Sequence, residues 1–536
     1  MEYLDTSHFL SLPRPSAGDF HAPIVDTTTL AAHDFDVDPR TGFMPPHPPV
    51  ERLLSLEGQN YEHWEDLLTQ ACAADLQIAD KEGGLTLEEE RRSEQWRTTV
   101  RMATPHLIYN PFAQIRASTS KGSLCPRMDN AFLHPYPAHL LPRNSHSSTC
   151  NASALTSLSR IAASPVLTYS DDVLYNWGII DTTNASSSPF GTIDPQNLRV
   201  LTTFTSTPSE SHFYLTSARI ELIGVRALSL MQSTLDELFV GDAIAVRRIT
   251  KYLNQLGSTD VSGSTSGRGI IGEMETELNK MTVGCDPQVF YEQIRPWFRG
   301  IDSSERRWIF EGIEMDERLE EPTELSGPSA GQSSLIHALD VFLGVEQYSH
   351  SRTLTGRSSI TSTPEDERPN EAIPEASSFL SRMQLYMPRH HRNFLTHLQN
   401  QNTKRSLRAL VFDALASAGI SPTGTASSST SITVSSNSSL SPSSIIDTDD
   451  ALNLLSAYNT AVMALKKLRD SHILIVTRYI IGPAARAKRS QQQAQQDDEF
   501  YMNAEGVAPL RGSGGTELAH FLKAVRDGTK DAVIAP

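Results

Sequence analysis

The chain of 536 residues has little cysteine: Cys72, Cys125, Cys150 and Cys285 are all it holds. They show neither the CxxC spacing of a zinc site nor the density of a secreted disulfide scaffold. Long apolar runs are missing too, so no segment has the length of a transmembrane helix. The opening stretch, MEYLDTSHFLSLPRPSAGDF, lacks the basic start and apolar core of a secretory signal, and its acids disfavour a mitochondrial transit peptide. Basic residues do not balance acidic ones, and the net charge of -17 argues against nucleic acid or an anionic membrane as the main partner. P-loop, HExxH and GxSxG elements are absent, as are internal repeats. These exclusions leave an expectation of a soluble protein of a reducing compartment, long enough for two domains; a cytoplasmic monomer is expected.

What the sequence does have is one long amphipathic stretch, Asp449 to Pro483. Asp449 and Asp450 offer N-cap chemistry, and Gly482-Pro483 predicts a stop. Leu454, Tyr458, Ala461, Leu465, Leu468, His472, Ile475 and Tyr479 recur at three- and four-residue steps and share a face. His472 therefore sits on the apolar stripe, with Arg469 three residues before it. A neutral imidazole on a dry helix face beside a guanidinium suits haem: an axial nitrogen for iron and a cation for a propionate. On spacing alone, a core histidine bonded to a carbonyl is the commoner outcome.

Elsewhere, prolines between Val37 and Leu53 forbid a helix. Helical spacing follows over 61–79 and 85–104, while 105–140 has little periodicity. A long helix is predicted from Ser211 with Leu215, Ile220, Ile223, Val225 and Leu228 as apolar positions, followed by helices around 235–256 and 271–283. Polar insertions occupy about 351–376 and 422–444; the second lacks aromatics and is read as disordered. Another helix is expected over 407–418. The Gln-rich stretch after Ser490 reads as a solvated linker.

Several of these segments carry specific motifs: Tyr169-Ser-Asp-Asp-Val-Leu-Tyr-Asn-Trp177, PQVFYEQIRPWFRGI from Pro287, GPSAGQSSLIHALDVFLGVE from Gly327, MPRHHRNF from Met387 and LRDSHILIVTRYI from Leu468. In this order they resemble the indoleamine 2,3-dioxygenase family, haem enzymes that open the indole ring of tryptophan. The likeness runs from about Val37 to Asp527 and is strongest from Pro165 onward. It implies an all-α chain: a small N-terminal helical domain, 1–150, capping a larger haem-binding domain, 151–536.

The resemblance also implies roles. His472 would be the axial ligand of haem b iron, ferrous in the active state, with Arg469 and Ser329 toward the cofactor. Arg295 would bind the substrate carboxylate through its planar fork. Tyr169, Phe213, Phe290 and Ala330 would line the indole pocket, with Val173 beside Tyr169. Ser217 would be the distal hydroxyl, and Ser513, in a Gly-rich loop, would close over the substrate amine. Haem supplies the redox chemistry and the protein supplies orientation, so no general base is needed. L-tryptophan and O2 are the implied partners. Competing ligands for iron are Cys125 in a loop and His390 and His391, for which structural hydrogen bonding is expected; Arg299 and Arg306 read as solvent-facing.

Four positions depart from the familiar animal enzymes. Asp172 stands where a cysteine or small residue lines the pocket, Tyr214 and Tyr291 replace phenylalanines, and Pro328 replaces a glycine. A carboxyl near an apolar ring site is costly unless paired or turned away. The alternative function is a non-enzymatic or weakly active haem- or oxygen-binding paralogue of the same fold; an oxygen carrier would need neither Arg295 nor the closing loop.

Overall fold

The structure is a computed structural model, and it describes residues 37–49, 167–181, 193–258, 268–298, 300, 326–345, 379–420, 446–487 and 518–535, with isolated positions at 35, 66, 69, 70, 88, 91, 95 and 489. The division expected near residue 150 and both polar insertions lie outside these residues. So do Cys125, Arg299, Arg306 and Ser513. Positions 66, 69, 70, 88, 91 and 95 are helical, inside the two helices expected there.

Helices dominate the described residues, as the all-α expectation requires. A two-stranded ladder, β1 (Trp177–Ile179) antiparallel to β2 (Leu198–Val200), is the exception. The helices are α1 (Pro208–Val240), α2 (Ala243–Gly257), α3 (Ile270–Gly284), α4 (Ser334–Phe342), α5 (Phe379–Gln384), α6 (Arg389–Lys404), α7 (Leu407–Ser417), α8 (Thr448–Val476) and α9 (Leu518–Asp531). α8 packs against α2, α3, α7 and α9; α1 packs against α2 and α3; α4 lies on α6. Before α1, the proline-rich 37–49 stretch stays irregular and buries Phe43 and Met44.

α1 starts where Thr207 accepts a hydrogen bond from the Glu210 backbone N–H at 3.3 Å. Glu210 turns back and accepts from the N–H groups of Phe204 and Thr205 at 2.8 and 2.7 Å, which ties the chain entering the helix to its first turn. The helix expected over 235–256 is in fact two. Gly241 adopts φ 62, which only glycine takes cheaply, and Asp242 caps α2 by accepting from Ala245 N–H at 2.7 Å.

The apolar face expected along α8 is buried: Leu454, Tyr458, Ala461 and Leu465 are sealed, and Leu468, Ile475 and Tyr479 nearly so. Two expectations for this element are corrected. The N-cap is Asp447, with Asp449 and Asp450 in the first turn. Gly482-Pro483 does not stop the helix, which continues to 487. Proline has no N–H and its ring collides with the carbonyl four residues back. The chain widens instead, with a π-turn at Thr477–Ile481, where Gly482 N–H donates to Thr477 O. The same device precedes Pro296: one α-turn (Pro287–Val289) opens into a π-turn (Phe290–Ile294), then tightens to a 3-10 turn (Arg295–Phe298). π-turns of this kind concentrate at functional sites.

Candidate functional site

The two proline-induced π-turns touch. Tyr479, two turns beyond His472, meets Phe290 edge-on with ring centroids 5.6 Å apart. Its hydroxyl donates to Cys285 O at 2.7 Å and lies 3.1 Å from Met281 O, which pins it to the end of α3. Phe290 packs against Phe213 of α1 at 5.1 Å, and Phe213 against Phe298 at 5.6 Å. Arg295 is buried at the start of the 3-10 turn, its backbone N–H bonded to Phe290 O and its guanidinium 5.5 Å from the Tyr291 ring centroid. Tyr291 therefore keeps an aromatic face and adds a cation–π contact. The structure brings Phe213, Phe290 and Arg295 into one aromatic wall.

Ser217 lies one turn beyond Phe213, half-buried, and its hydroxyl has no partner among the described residues. A second π-turn wall, Ser170–Leu174, runs beside α1. Tyr169 caps it and donates its hydroxyl to Glu221 Oε1 at 2.9 Å. Ser333 donates to the same oxygen at 2.7 Å, while Gln332 accepts from Tyr169 N–H at 2.8 Å and donates to Gly327 O at 2.9 Å. This network fastens the π-turn, α1 and the small-residue turn into one unit. Ser329 accepts from Gly331 N–H at 3.2 Å, and Ala330 is exposed. Gly327 permits the turn's position, since a Cβ there would lie 2.0 Å from Phe298 O. The Ser329–Ala330 turn is thus seated against the turn that bears Arg295.

Burial pushes Glu221 up to about 7, partly offset by its bonds from Ser333 and Tyr169; its Oε2 is buried with no partner. Burial, with the charges of Asp171 and Glu210, drives Asp172 well above the usual carboxylate range. Asp172 is buried, and among the described residues its carboxyl has no hydrogen-bond partner, so it is not paired as the expectation allowed. Tyr214 donates its hydroxyl to Glu210 Oε1 at 3.1 Å.

On the α8 side, Arg469 donates from Nη2 to both oxygens of Asp340, at 2.6 and 2.7 Å, and from Nη1 to Thr529 Oγ1. The sequence reading missed Asp340; a lone acid in the apolar run of α4 was the available signal. Arg469 already has a carboxylate, so any further anion shares it. His472 is half-buried. Burial, then the charge of Arg469, lowers it to about 4, so the ring is neutral. Neither ring nitrogen has a hydrogen-bond partner among the described residues. A neutral, unengaged imidazole has the lone pair that haem iron takes, and in this respect the residues present fit the group.

His391 is a poorer donor to iron: it is buried against the edge of Phe43 at 4.9 Å. The hydrogen bonding expected of it is not found, and its Nδ1 has no partner among the described residues. Burial lowers it to about 3, so it stays uncharged in the core.

The family model described as Indoleamine 2,3-dioxygenase matches residues 31–532, nearly the whole chain. The chain belongs to the indoleamine 2,3-dioxygenase family. It is accordingly a dioxygenase, of a family that is generally haem-dependent. It is 27% identical to an indoleamine 2,3-dioxygenase of Saccharomyces cerevisiae, over 92% of this chain and 91% of that one. Indoleamine 2,3-dioxygenase 2 of Homo sapiens is 28% identical over 75% of this chain and 74% of its own. A 6-hydroxytryptophan 2,3-dioxygenase of Fusarium equiseti is 25% identical over 95% of this chain and 99% of its own. Among the described residues no helix is long and apolar enough to cross a membrane.

Proposed function

We propose that this dioxygenase opens the indole ring of L-tryptophan or a close ring-substituted relative, inserting both atoms of O2 across the C2–C3 bond to give the N-formylkynurenine product. For tryptophan this is the first step of the kynurenine route, and we take the working form to be a cytoplasmic monomer. The observation that carries the reading is the meeting of two walls at Phe290 and Tyr479, which joins the helix of His472 to the turn of Arg295. His472 would hold haem iron by its free ring nitrogen, with the Arg469–Asp340 pair fixing the cationic edge beside it. Bound haem supplies O2 activation and the electron chemistry of ring opening.

The chain's own work is placement. Arg295 takes the substrate carboxylate in a bidentate contact, and Phe213 and Phe290 clamp the flat ring. Ser217 offers a hydroxyl to the indole N–H or to the oxygen side. Ser329 and Ala330, held close by Gly327, complete the wall with little bulk. An oxygen carrier of the same fold is the competing reading, and it has no substrate carboxylate to hold.

The test is Arg295→Ala in the haem-loaded protein. A charge-assisted hydrogen bond contributes about 1.5–3 kcal/mol, so tryptophan binding weakens roughly ten- to a hundredfold and turnover falls with it. Arg295→Lys rescues poorly, because an ammonium lacks the planar fork. Carbon monoxide binding without substrate stays near wild type. Equal rates of N-formylkynurenine formation by wild type and Arg295→Ala would sink the assignment.

A further inference from the structure

Two acids stand side by side at the N-terminal end of α1, and they are treated differently. Glu210 is fully buried, and its four acceptor positions are filled: Phe204 N–H and the Tyr214 hydroxyl on Oε1, Thr205 N–H and Thr205 hydroxyl on Oε2. It has nothing left to offer a ligand. Asp172, on the neighbouring π-turn, is 4% exposed, and its carboxyl makes no hydrogen bond to any described residue. The charged groups that bear on it are Asp171 beside it and Glu210 across from it, both acids, with no cation to offset them. Tyr214, close enough to feel the Asp172 charge, has already spent its proton on Glu210.

A buried polar side chain without a partner is rare and calls for an explanation. Looseness is not one, because the turn is fixed at Tyr169 by bonds to Glu221 and Gln332 and closed by Tyr175 N–H donating to Ser170 O at 2.9 Å. Packing is not one either, since a valine of similar size would fill the space without desolvating a carboxyl. What the position does have is company. Tyr214 packs against Phe213 and Phe298 at 5.7 and 6.0 Å, so Asp172 lies at the edge of the aromatic wall assigned to the substrate ring.

We infer that Asp172 is a specificity-determining residue, and that the preferred substrate carries a hydroxyl on the six-membered half of its indole, which exchanges hydrogen bonds with the Asp172 carboxyl. A neutral carboxyl has one donor and one free acceptor, and a phenolic hydroxyl has the matching pair. A site built around such a group discriminates strongly against an analogue lacking it, because the buried carboxyl is then left unpaired. This rests on the reading of the pocket as an indole-opening site.

The experiment compares kcat/KM of the haem-loaded full chain for L-tryptophan, 5-hydroxy-L-tryptophan and 6-hydroxy-L-tryptophan, in wild type, Asp172→Val and Asp172→Asn. Wild type favours one hydroxylated substrate, and in Asp172→Val the ratio of hydroxylated to unsubstituted falls by about tenfold or more. Asp172→Asn, which keeps a donor and an acceptor, restores part of the ratio. Calorimetric titration of the same ligands without O2 shows the same order of affinities. Thermal melting separates a structural role: Asp172→Val melts at or above wild type if the carboxyl serves only the ligand, and a large drop overturns the inference. An unchanged ratio with turnover intact overturns it as well, leaving a trapped water as the carboxyl's partner. If wild type consumes none of the three, the indole-opening reading itself fails, a distinct result.

Discussion

The two walls of the site handle buried charge in opposite ways. Along α8, charge meets opposite charge: Arg469 with Asp340, Lys467 with Glu275 at 3.1 Å, and Glu275 again with the Ser471 hydroxyl at 2.8 Å. Along the start of α1 and its π-turn, three buried acids face neutral donors or none. Glu210 has a full set, Glu221 has two donors on one oxygen, and the Asp172 carboxyl has no hydrogen-bond partner among the described residues. Opposite charges in contact offset each other's desolvation directly. Neutral donors compensate burial only in part: burial raises Glu221 to about 7 and drives Asp172 well above the usual carboxylate range. The α8 wall suits the permanent holding of a cofactor, and the α1 wall suits contact with an uncharged ring.

The largest way to break this contrast is His472→Ala. It removes the one free imidazole nitrogen of the α8 wall while replacing it with a strong helix former. Haem-dependent visible absorption is lost, including the ferrous–CO band, and far-UV circular dichroism stays near wild type. A normal ferrous–CO spectrum in this variant would move the ligand elsewhere.

Next is Asp340→Ala, which strands the Arg469 guanidinium. Breaking a buried pair from one side costs about 3–5 kcal/mol, because the remaining charge has no compensation. Urea unfolding reads this directly. A cost under about 1 kcal/mol would mean that the pair is effectively solvated and that the contrast between the walls is superficial.

Glu221→Gln sharpens the other side. Glu221 holds its proton to about pH 7 when folded, against 4.5 ordinarily, so the folded state binds more protons between those values. Unfolding free energy therefore falls as pH rises from about 4.5 to 7 and levels off above. The loss attributable to this group is on the order of 3 kcal/mol. The variant has no such group, so the difference between wild type and Glu221→Gln follows that slope in urea titrations at pH 5, 6, 7 and 8. A pH-independent difference would place the residue among ordinary paired acids.

The smallest effect belongs to Arg247→Ala. Its contact with Asp450, 3.1 Å long at the start of α8, is exposed on the arginine side. Such pairs contribute within about 0.5 kcal/mol. Unfolding in 0.5 M salt, where screening removes most of that, brings the variant and wild type together.

Much of this was legible in the residues. The period of apolar side chains gave α8 its buried face, and the small-residue turn ahead of α4 and the aromatic motif around Phe290 marked where walls would form. Each depends on neighbours within a few residues, which is information a chain carries locally. Less was legible where a proline sits in a helix. Pro483 reads as a stop because an α-helix cannot absorb it, and only packing of Tyr479 onto Phe290 and α3 makes the wider π-turn worthwhile.

What the sequence by itself determined, then, is the helical class, the face of α8 that carries His472, and the family motifs in their order. Tertiary structure alone decided which groups those side chains would meet. Arg469 was expected to await a propionate, and it has Asp340, from a helix far away in the chain. Asp172 reads as costly unless paired or turned away, and it is buried with no hydrogen-bond partner for its carboxyl among the described residues. The reason is physical: helix periodicity is set by bonds between residues four apart, whereas the partner of a buried charge is chosen by whichever distant element packs over it.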